Sequence, residues 1–153
     1  MAMNDTTELS DYVTCTTGGQ MFGLPIERVQ DVFKPTRITR VPLADAEIAG
    51  VLNLRGRIVT AIDLRRRLGL DDGQETRSAM AIGIESRGES FALLVDSIGE
   101  VLKLPDGQCE PNPINLDGKL HRVAAGVFRL DGSLLVVLDI DRVLDLGMRA
   151  AAA

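Results

Sequence analysis

The side chains that could carry catalysis are few in this sequence. Asp63 and Asp139 occur at corresponding places in two similar segments, and a pair of carboxylates is one arrangement that performs acid–base chemistry. Each, however, stands between an extended apolar run and a run with helical spacing, where aspartate is typical as an N-capping residue. We therefore interpret both residues as helix caps.

The remaining candidates for chemistry are a thiol and an imidazole. His121 is the only histidine, so one chain cannot build a histidine-based metal site or a relay of several histidines. Cys109 stands twelve positions before it among Pro and Asn residues, without a recognisable nucleophile motif. We interpret His121 as a polar loop residue and keep a Cys109–His121 pair as an alternative. The sequence thus predicts no catalytic residue, no metal and no cofactor.

The composition excludes several classes of partner. The 153 residues include 22 acidic and 17 basic side chains, and the net charge of −5 would repel a nucleic acid backbone. No apolar run reaches the ~18 to 20 residues that cross a bilayer, so we expect a cytoplasmic protein without direct membrane insertion. In that compartment Cys15 and Cys109 would stay reduced. With 3% aromatic residues the chain also lacks the stacking groups of a sugar or single-strand site, which leaves a scaffold or adaptor.

An internal repeat organises most of the chain. The segment GVLNLRGRIVTAIDLRRRLGL, residues 50–70, matches GVFRLDGSLLVVLDIDRVLDL, residues 126–146, at a constant offset of 76 without a gap. Upstream, GQMFGLPIERVQDV matches GESFALLVDSIGEV at an offset of 69, which pairs Phe22 with Phe91. The difference between the two offsets places seven extra residues in a loop of the second copy, around PDGQCEPNPINLDGK.

Each copy is predicted to consist of short strands joined by tight turns. The turns are expected at four glycine-containing pairs: Gly18-Gly19, Arg55-Gly56, Arg87-Gly88 and Asp131-Gly132. A short helix should follow each capping aspartate, and the Arg65-Arg66-Arg67 run on the first helix is interpreted as a solvated basic face. About five strands per copy favour an all-β fold of two small barrels, each too small to be stable alone. The two copies should therefore pack together through an apolar seam that also forms a groove.

The sequence closely resembles the CheW family of bacterial chemotaxis coupling proteins. The resemblance rests on IAGVLNLRGRIVTAIDLRRRLGL together with FGLPIERVQDV, RITRVP, FALLVDSIGEVLKLP and LLVVLDIDRVL, and covers the chain from about Asp11 to Leu146. It implies a single CheW-like domain, 1–153, with two intertwined five-stranded SH3-like barrels and short helices. We expect these barrels to extend over approximately residues 11–75 and 80–146.

The resemblance also implies a function and partners. Members bridge the cytoplasmic tips of chemoreceptors and the regulatory domain of the histidine kinase CheA, without catalysis, in membrane-associated arrays. Two alternatives stay open: a CheW-like scaffold of a non-flagellar chemosensory pathway, and a small ligand-binding regulator or hydrolase. The last would need a deep pocket with a titratable group of perturbed pKa.

The resemblance places receptor contacts on Val29 and Val101, which lie close to where the two copies should meet. Asp31 and Arg55 extend this predicted site. The second copy keeps an acid at Glu100 but has Asp131 in place of Arg55, so the hairpin itself does not require the arginine. An arginine can offer a planar group with several donors to a receptor helix, or hold Asp31 in place. No kinase-contact residues are assigned.

Overall fold

The structure is a computed structural model that describes residues 8–42, 46–70, 80–113, 116 and 118–145. Strands account for most of the described chain, and the helices are short. The strands are β1 Leu9–Thr17, β2 Gln20–Pro25, β3 Val29–Phe33, β4 Ile48–Leu54, β5 Arg57–Asp63, β6 Met80–Ser86, β7 Glu89–Val95, β8 Ser97–Pro105, β9 Ala124–Leu130 and β10 Ser133–Leu138. The helices are α1 Leu64–Arg67, α2 Gly118–Val123 and α3, residues 140–145.

The strands form two five-stranded sheets that exchange strands between the two sequence copies. Sheet A has the order β8-β1-β2-β10-β9, and sheet B has the order β3-β6-β7-β5-β4. If the strands of each copy are numbered one to five, both sheets follow the order three, one, two, five, four. In each sheet, strands one and two belong to one copy, and strands three, four and five belong to the other copy.

This exchange corrects the predicted extents of the barrels. Residues 11–75 and 80–146 do not correspond to the two sheets, because the β1–β2 hairpin pairs with β8 and β10 of the second copy. The reciprocal contacts join the β6–β7 hairpin to β3 and β5. Residues 71–75 and Leu146, which end the two predicted extents, lie outside the described residues.

The register shows that the repeat in the sequence is a repeat in the structure. Phe22 is paired with Val136 in sheet A, and Phe91 is paired with Thr60 in sheet B. Thr60 and Val136 are themselves equivalent at the offset of 76, so the two phenylalanines have matching neighbours. Gly56 and Gly132 lie in matching hairpin turns with φ of 83° and 77°. The predicted equivalence of these positions is confirmed.

Three apolar clusters divide the interior. The central core lies between the sheets and includes Phe22 and Leu24 from sheet A and Phe91 and Leu93 from sheet B, all at most 1% exposed. A smaller cluster around Leu52, Val59 and Ala61 covers the face of sheet B away from the central core, and a third around Phe128, Leu135 and Val137 lies on sheet A. The predicted apolar seam is therefore the largest core of the molecule.

The helices close the two copies as the sequence predicts. The Asp63 carboxylate accepts from the Arg66 backbone N–H at the start of α1, and the Asp139 carboxylate accepts from the Arg142 N–H at the start of α3. Both aspartates are thus helix caps.

The interpretation of the arginine run as a solvated face is wrong for two of its three residues. Arg67 is 8% exposed, and its guanidinium donates to the carbonyls of Arg142 and Val143 in α3. Arg65 forms an ion pair with Asp96 at 2.7 Å. These side chains connect α1 to α3 and to Asp96, both of which belong to the second copy.

The inserted loop of the second copy contains a helix that the sequence analysis did not predict. His121 lies on an exposed position of α2 rather than in a loop. The Asn112 side chain donates to the carbonyl of Ala124, the first residue of β9, which fixes this segment against the strand. Leu120 and Val123 of α2 are buried in the central core.

Candidate functional site

The predicted residues Asp31 and Arg55 meet at a pocket of about 360 Å³ at one end of sheet B. Asp31 lies on β3, and Arg55 lies in the turn between β4 and β5. The Arg55 guanidinium is 3.9 Å from the Asp31 carboxylate, a loose ion pair in which the arginine side chain is 80% exposed. We call this cavity the Arg55 pocket. It is lined by Gln30, Asp31, Leu54, Arg55, Arg57, Val59, Gly83, Ser90 and Phe91.

A β-bulge in β3 sets the direction of the Asp31 side chain. Val29 is paired with Ile84 and Asp31 with Gly83, so β3 has one residue more than β6 over this interval. The extra residue turns Val29 and Asp31 to opposite faces of the sheet although they are two positions apart. Val29 packs against the central core, whereas Asp31 lines the Arg55 pocket.

Gly83 provides the space that the Asp31 carboxylate occupies. A Cβ atom at position 83 would collide with Asp31 Oδ1, so any larger residue would displace this side chain. The equivalent residue of sheet A is Thr14, whose hydroxyl donates to the Glu100 carbonyl at 2.6 Å. The sequence analysis missed Gly83. The signal in the sequence is a glycine inside an otherwise apolar strand, which often marks a place where another group approaches the strand backbone closely.

The hairpin holds Arg55 in an unusual backbone conformation. Its φ is 53°, in the left-handed region that side chains other than glycine, Asn and Asp rarely adopt. The Asn53 side chain accepts from the Gly56 backbone N–H at 2.9 Å and so stabilises the turn. Asp131, the equivalent residue of the second copy, does not have a positive φ. The Arg55 turn is therefore locally distinct from its counterpart.

The two predicted valines lie on the edge strands of different sheets. Val29 is half-buried on β3, and Val101 is 52% exposed on β8. The residue equivalent to Val101 is Val32, which is 41% exposed and lies opposite the core residue Ile82. Val29 and its equivalent Ile98 both pack against the central core. We call these four the seam residues: Val29, Val32, Ile98 and Val101.

The structure thus brings two of the four predicted site residues together. Asp31 and Arg55 share the pocket of sheet B, while Val29 packs against the central core and Val101 is exposed on the edge strand β8. Neither valine is among the residues that line the Arg55 pocket. The predicted site therefore has two parts. The charged part, Asp31 and Arg55, lies at the pocket of sheet B, and the apolar part consists of Val29 on the other face of β3 and Val101 on β8.

The cysteines do not have the environment of activated nucleophiles. Burial raises the pKa of Cys15 to about 12, with a further contribution from Asp96. The pKa of Cys109 is also raised, first by desolvation and then by the Asp106 carboxylate. A raised pKa lowers the thiolate fraction at neutral pH. His121 is not among the groups that shift the pKa of Cys109. Within the described ranges, no three His, Cys, Asp or Glu side chains are grouped to hold a metal ion.

Comparison with protein families decides what this fold is. A family model described as the CheW-like domain matches residues 11–147. The chain belongs to the CheW family. The chemotaxis protein CheW of Rhizobium meliloti is 28% identical over 142 residues, which are 93% of this chain and 92% of that protein.

A solved structure supports the CheW fold independently. The scaffolding protein TtCheW from Thermoanaerobacter tengcongensis superposes with a TM-score of 0.76 at 26% identity, over 86% of this chain and 84% of that chain. The prediction of two five-stranded SH3-like barrels with short helices is confirmed. The chemotaxis protein CheA of Salmonella typhimurium is 26% identical over 88% of this chain, in a match that covers 19% of CheA. None of the helices in the described part of this CheW-family chain is long and apolar enough to cross a membrane.

Proposed function

We propose that this protein is a non-catalytic adaptor that couples the cytoplasmic tips of chemoreceptors to the histidine kinase CheA in a chemosensory array. The observation that carries the proposal is the CheW-family match over residues 11–147, together with the two-barrel fold. The chain acts from the cytoplasm and reaches the membrane-associated array through its partners.

The receptor-binding surface in this proposal consists of Val29, Asp31, Arg55 and Val101. The half-exposed Val101 and the half-buried Val29 offer apolar area to a receptor helix, and their neighbours on β3 and β8 enlarge it. Arg55 offers an exposed cation at the end of sheet B, beside Asp31. An apolar centre with a charged edge suits a reversible protein–protein contact.

The kinase contact in this proposal is between similar folds. About a fifth of CheA from Salmonella typhimurium is similar in sequence to this chain, so the kinase contains a region of comparable size and pattern. We infer that one barrel end packs against such a region in the kinase regulatory domain. A modest apolar contact of this kind fits a component that exchanges in and out of an array.

Titration calorimetry tests both contacts separately. The full chain should bind the isolated kinase regulatory domain at 1:1 with a negative ΔCp from apolar burial, and it should also bind a receptor-tip fragment. If neither fragment forms a complex at high micromolar concentration, the adaptor function is rejected.

A substitution in the apolar part locates the receptor surface. Val101→Asp should abolish receptor-tip binding, because a carboxylate would be desolvated in the contact, while kinase binding is kept. The matched control is Val41→Asp, at a valine that is 40% exposed outside the strands. Equal loss of receptor and kinase binding in Val101→Asp, together with a lower melting temperature, would show that Val101 supports the fold instead.

A further inference from the structure

The Arg55 pocket contains a second arginine that the site described so far does not use. Arg57 is the first residue of β5 and is exposed. Because side chains alternate along a strand, it shares a face with Val59 and Ala61, which cover the face of sheet B away from the central core. Arg57 therefore lies on the same face of sheet B as Val59, beside the turn that carries Arg55.

No carboxylate of the described chain neutralises Arg57. Among the residues that the structure describes, the Arg57 side chain forms no hydrogen bond and no ion pair. Asp31 is paired with Arg55, and Glu85 accepts from the Gln30 side chain at 2.7 Å. The pocket thus has two guanidinium groups and one carboxylate along its wall, an excess of positive charge in a chain whose net charge is −5.

The second copy shows that the fold does not need this pair of cations. The residues equivalent to Arg55 and Arg57 are Asp131 and Ser133, in a hairpin of the same length on sheet A. The same hairpin is therefore compatible with two arginines or with none. The charge at the end of sheet B is a property of that surface, and it calls for an external anion.

We propose that Arg55 and Arg57 together bind one acidic side chain of the chemoreceptor tip in this pocket. The inference rests on the proposed function and specifies the chemistry of its receptor contact. A cavity of about 360 Å³ exceeds the space that a carboxylate side chain needs. Two planar guanidinium groups can each donate to its two oxygens. Asp31 holds the Arg55 side chain near the cavity.

The test measures the affinity of full-length variants for a receptor-tip fragment at low and high salt. Arg57→Gln should bind the fragment about fivefold to tenfold more weakly at low salt, with a smaller salt dependence, because one charged contact is lost. Arg57→Lys should be intermediate, since it keeps the charge without the planar donors. Arg129→Gln is the matched control, a 69% exposed arginine on the equivalent hairpin of sheet A, and should bind as the unmodified chain does.

Receptor-tip fragments with each acidic residue neutralised in turn identify the partner. For one such fragment, neutralisation should lower the affinity for the unmodified chain. The same neutralisation should leave the affinity for Arg57→Gln unchanged, because the contact is already lost in that variant. If Arg57→Gln binds the original fragment as tightly as the unmodified chain, or if every neutralisation weakens both proteins equally, the inference is overturned while the adaptor function stands. If the unmodified chain binds no receptor-tip fragment, the receptor contact of the proposed function fails and this inference fails with it.

Discussion

Arg55 and Asp131 occupy the same position in two equivalent hairpins, and the difference between them shows where the copies have diverged. Arg55 is held with a positive φ, a conformation that costs a side-chain-bearing residue about 1 to 2 kcal/mol. It is also 80% exposed and only loosely paired with Asp31, so its local contacts repay little of that cost. Arg87 has nearly the same φ, 54°, in the β6–β7 turn, so the position of Arg55 on the wall of the pocket, and not its backbone conformation, makes it the candidate for binding.

Reversal of this charge should weaken receptor binding selectively. We expect Arg55→Glu to reduce the affinity for a receptor-tip fragment by about 1 to 3 kcal/mol, because a cation in the contact becomes an anion. Melting temperature and affinity for the kinase regulatory domain should stay near those of the unmodified chain. The control is Arg129→Glu, which reverses an exposed cation of sheet A that is paired with Glu110 at 3.0 Å. If Arg55→Glu leaves receptor affinity untouched, Arg55 is not part of the contact.

The buried thiol of Cys15 predicts a loss of stability at high pH. Burial raises its pKa from 9.0 to about 12, so the unfolded chain releases this proton at lower pH than the folded chain does. Loss of this proton therefore stabilises the unfolded state relative to the folded state between pH 9 and pH 12. The free energy of unfolding falls by up to about 1.4 kcal/mol per pH unit. Denaturant unfolding at several pH values should show this slope, and Cys15→Ala should show a smaller one. The same slope in both proteins would contradict the assignment.

The residues of the candidate site differ in how far the sequence could reveal them. Asp31 and Arg55 were predicted because the family resemblance and the asymmetry between the copies both point to them. Gly83 was missed, since a glycine in a strand is recognised as a spacer only when the side chain that needs the space is known. Val32 was not selected, although the repeat pairs it with Val101, because exposure at the edge of a sheet depends on strand order.

At the scale of elements, α1 and α3 act as the link between the two copies. Leu64 of α1 and Leu68, which caps its end, are equivalent to Ile140 and Leu144 of α3, and all four are buried in the central core. Arg67 donates to the carbonyl of Val143, the residue that is equivalent to Arg67 in the second copy. The Arg67 guanidinium thus binds two backbone carbonyls of the short helix α3 from the other copy. A sequence pattern cannot show this, because an arginine on a short amphipathic helix is by default solvated.

Loss of this link should destabilise the whole fold. Arg67→Met removes both hydrogen bonds from the buried Arg67 side chain to the carbonyls of Arg142 and Val143. We expect the free energy of unfolding to fall by about 2 to 3 kcal/mol, in the range for buried hydrogen bonds to a charged group. Arg122→Met, at an exposed arginine of α2, should change it by less than about 0.5 kcal/mol. Equal values for the two variants in urea unfolding would show that Arg67 contributes no more than a surface residue.

At the scale of the whole molecule, the strand exchange decides how the chain holds together. The repeat predicted ten strands and their equivalences, and the structure confirms them. It could not predict which hairpin pairs with which copy, because the apolar alternation is the same whether the first hairpin joins its own copy or the other. The exchange places the connection between β2 and β3, and its equivalent between β7 and β8, across the central core.

This topology predicts that neither half of the chain folds alone. A fragment of residues 1–75 lacks β8, β9 and β10, so its β1–β2 hairpin has neither of its neighbours in sheet A. A fragment of residues 76–153 lacks β3, β4 and β5, and its β6–β7 hairpin is left in the same way. An isolated two-stranded hairpin is marginally stable at best. Because the largest cluster draws on both halves, each fragment would also expose much of the central core to water.

Co-expression of the two fragments should restore the fold without a covalent connection, since every strand then has its native neighbours. We expect each purified fragment to show a disordered NMR spectrum, and the co-expressed pair to elute as one 1:1 complex with dispersed resonances and receptor-tip binding. A Gly83→Val substitution in the second fragment should leave the complex assembled but weaken receptor binding, because it displaces the Asp31 carboxylate across the reconstituted sheet. A monomeric, fully dispersed spectrum from residues 76–153 alone would mean that a copy can close its own barrel, and the strand exchange would then not be essential for folding.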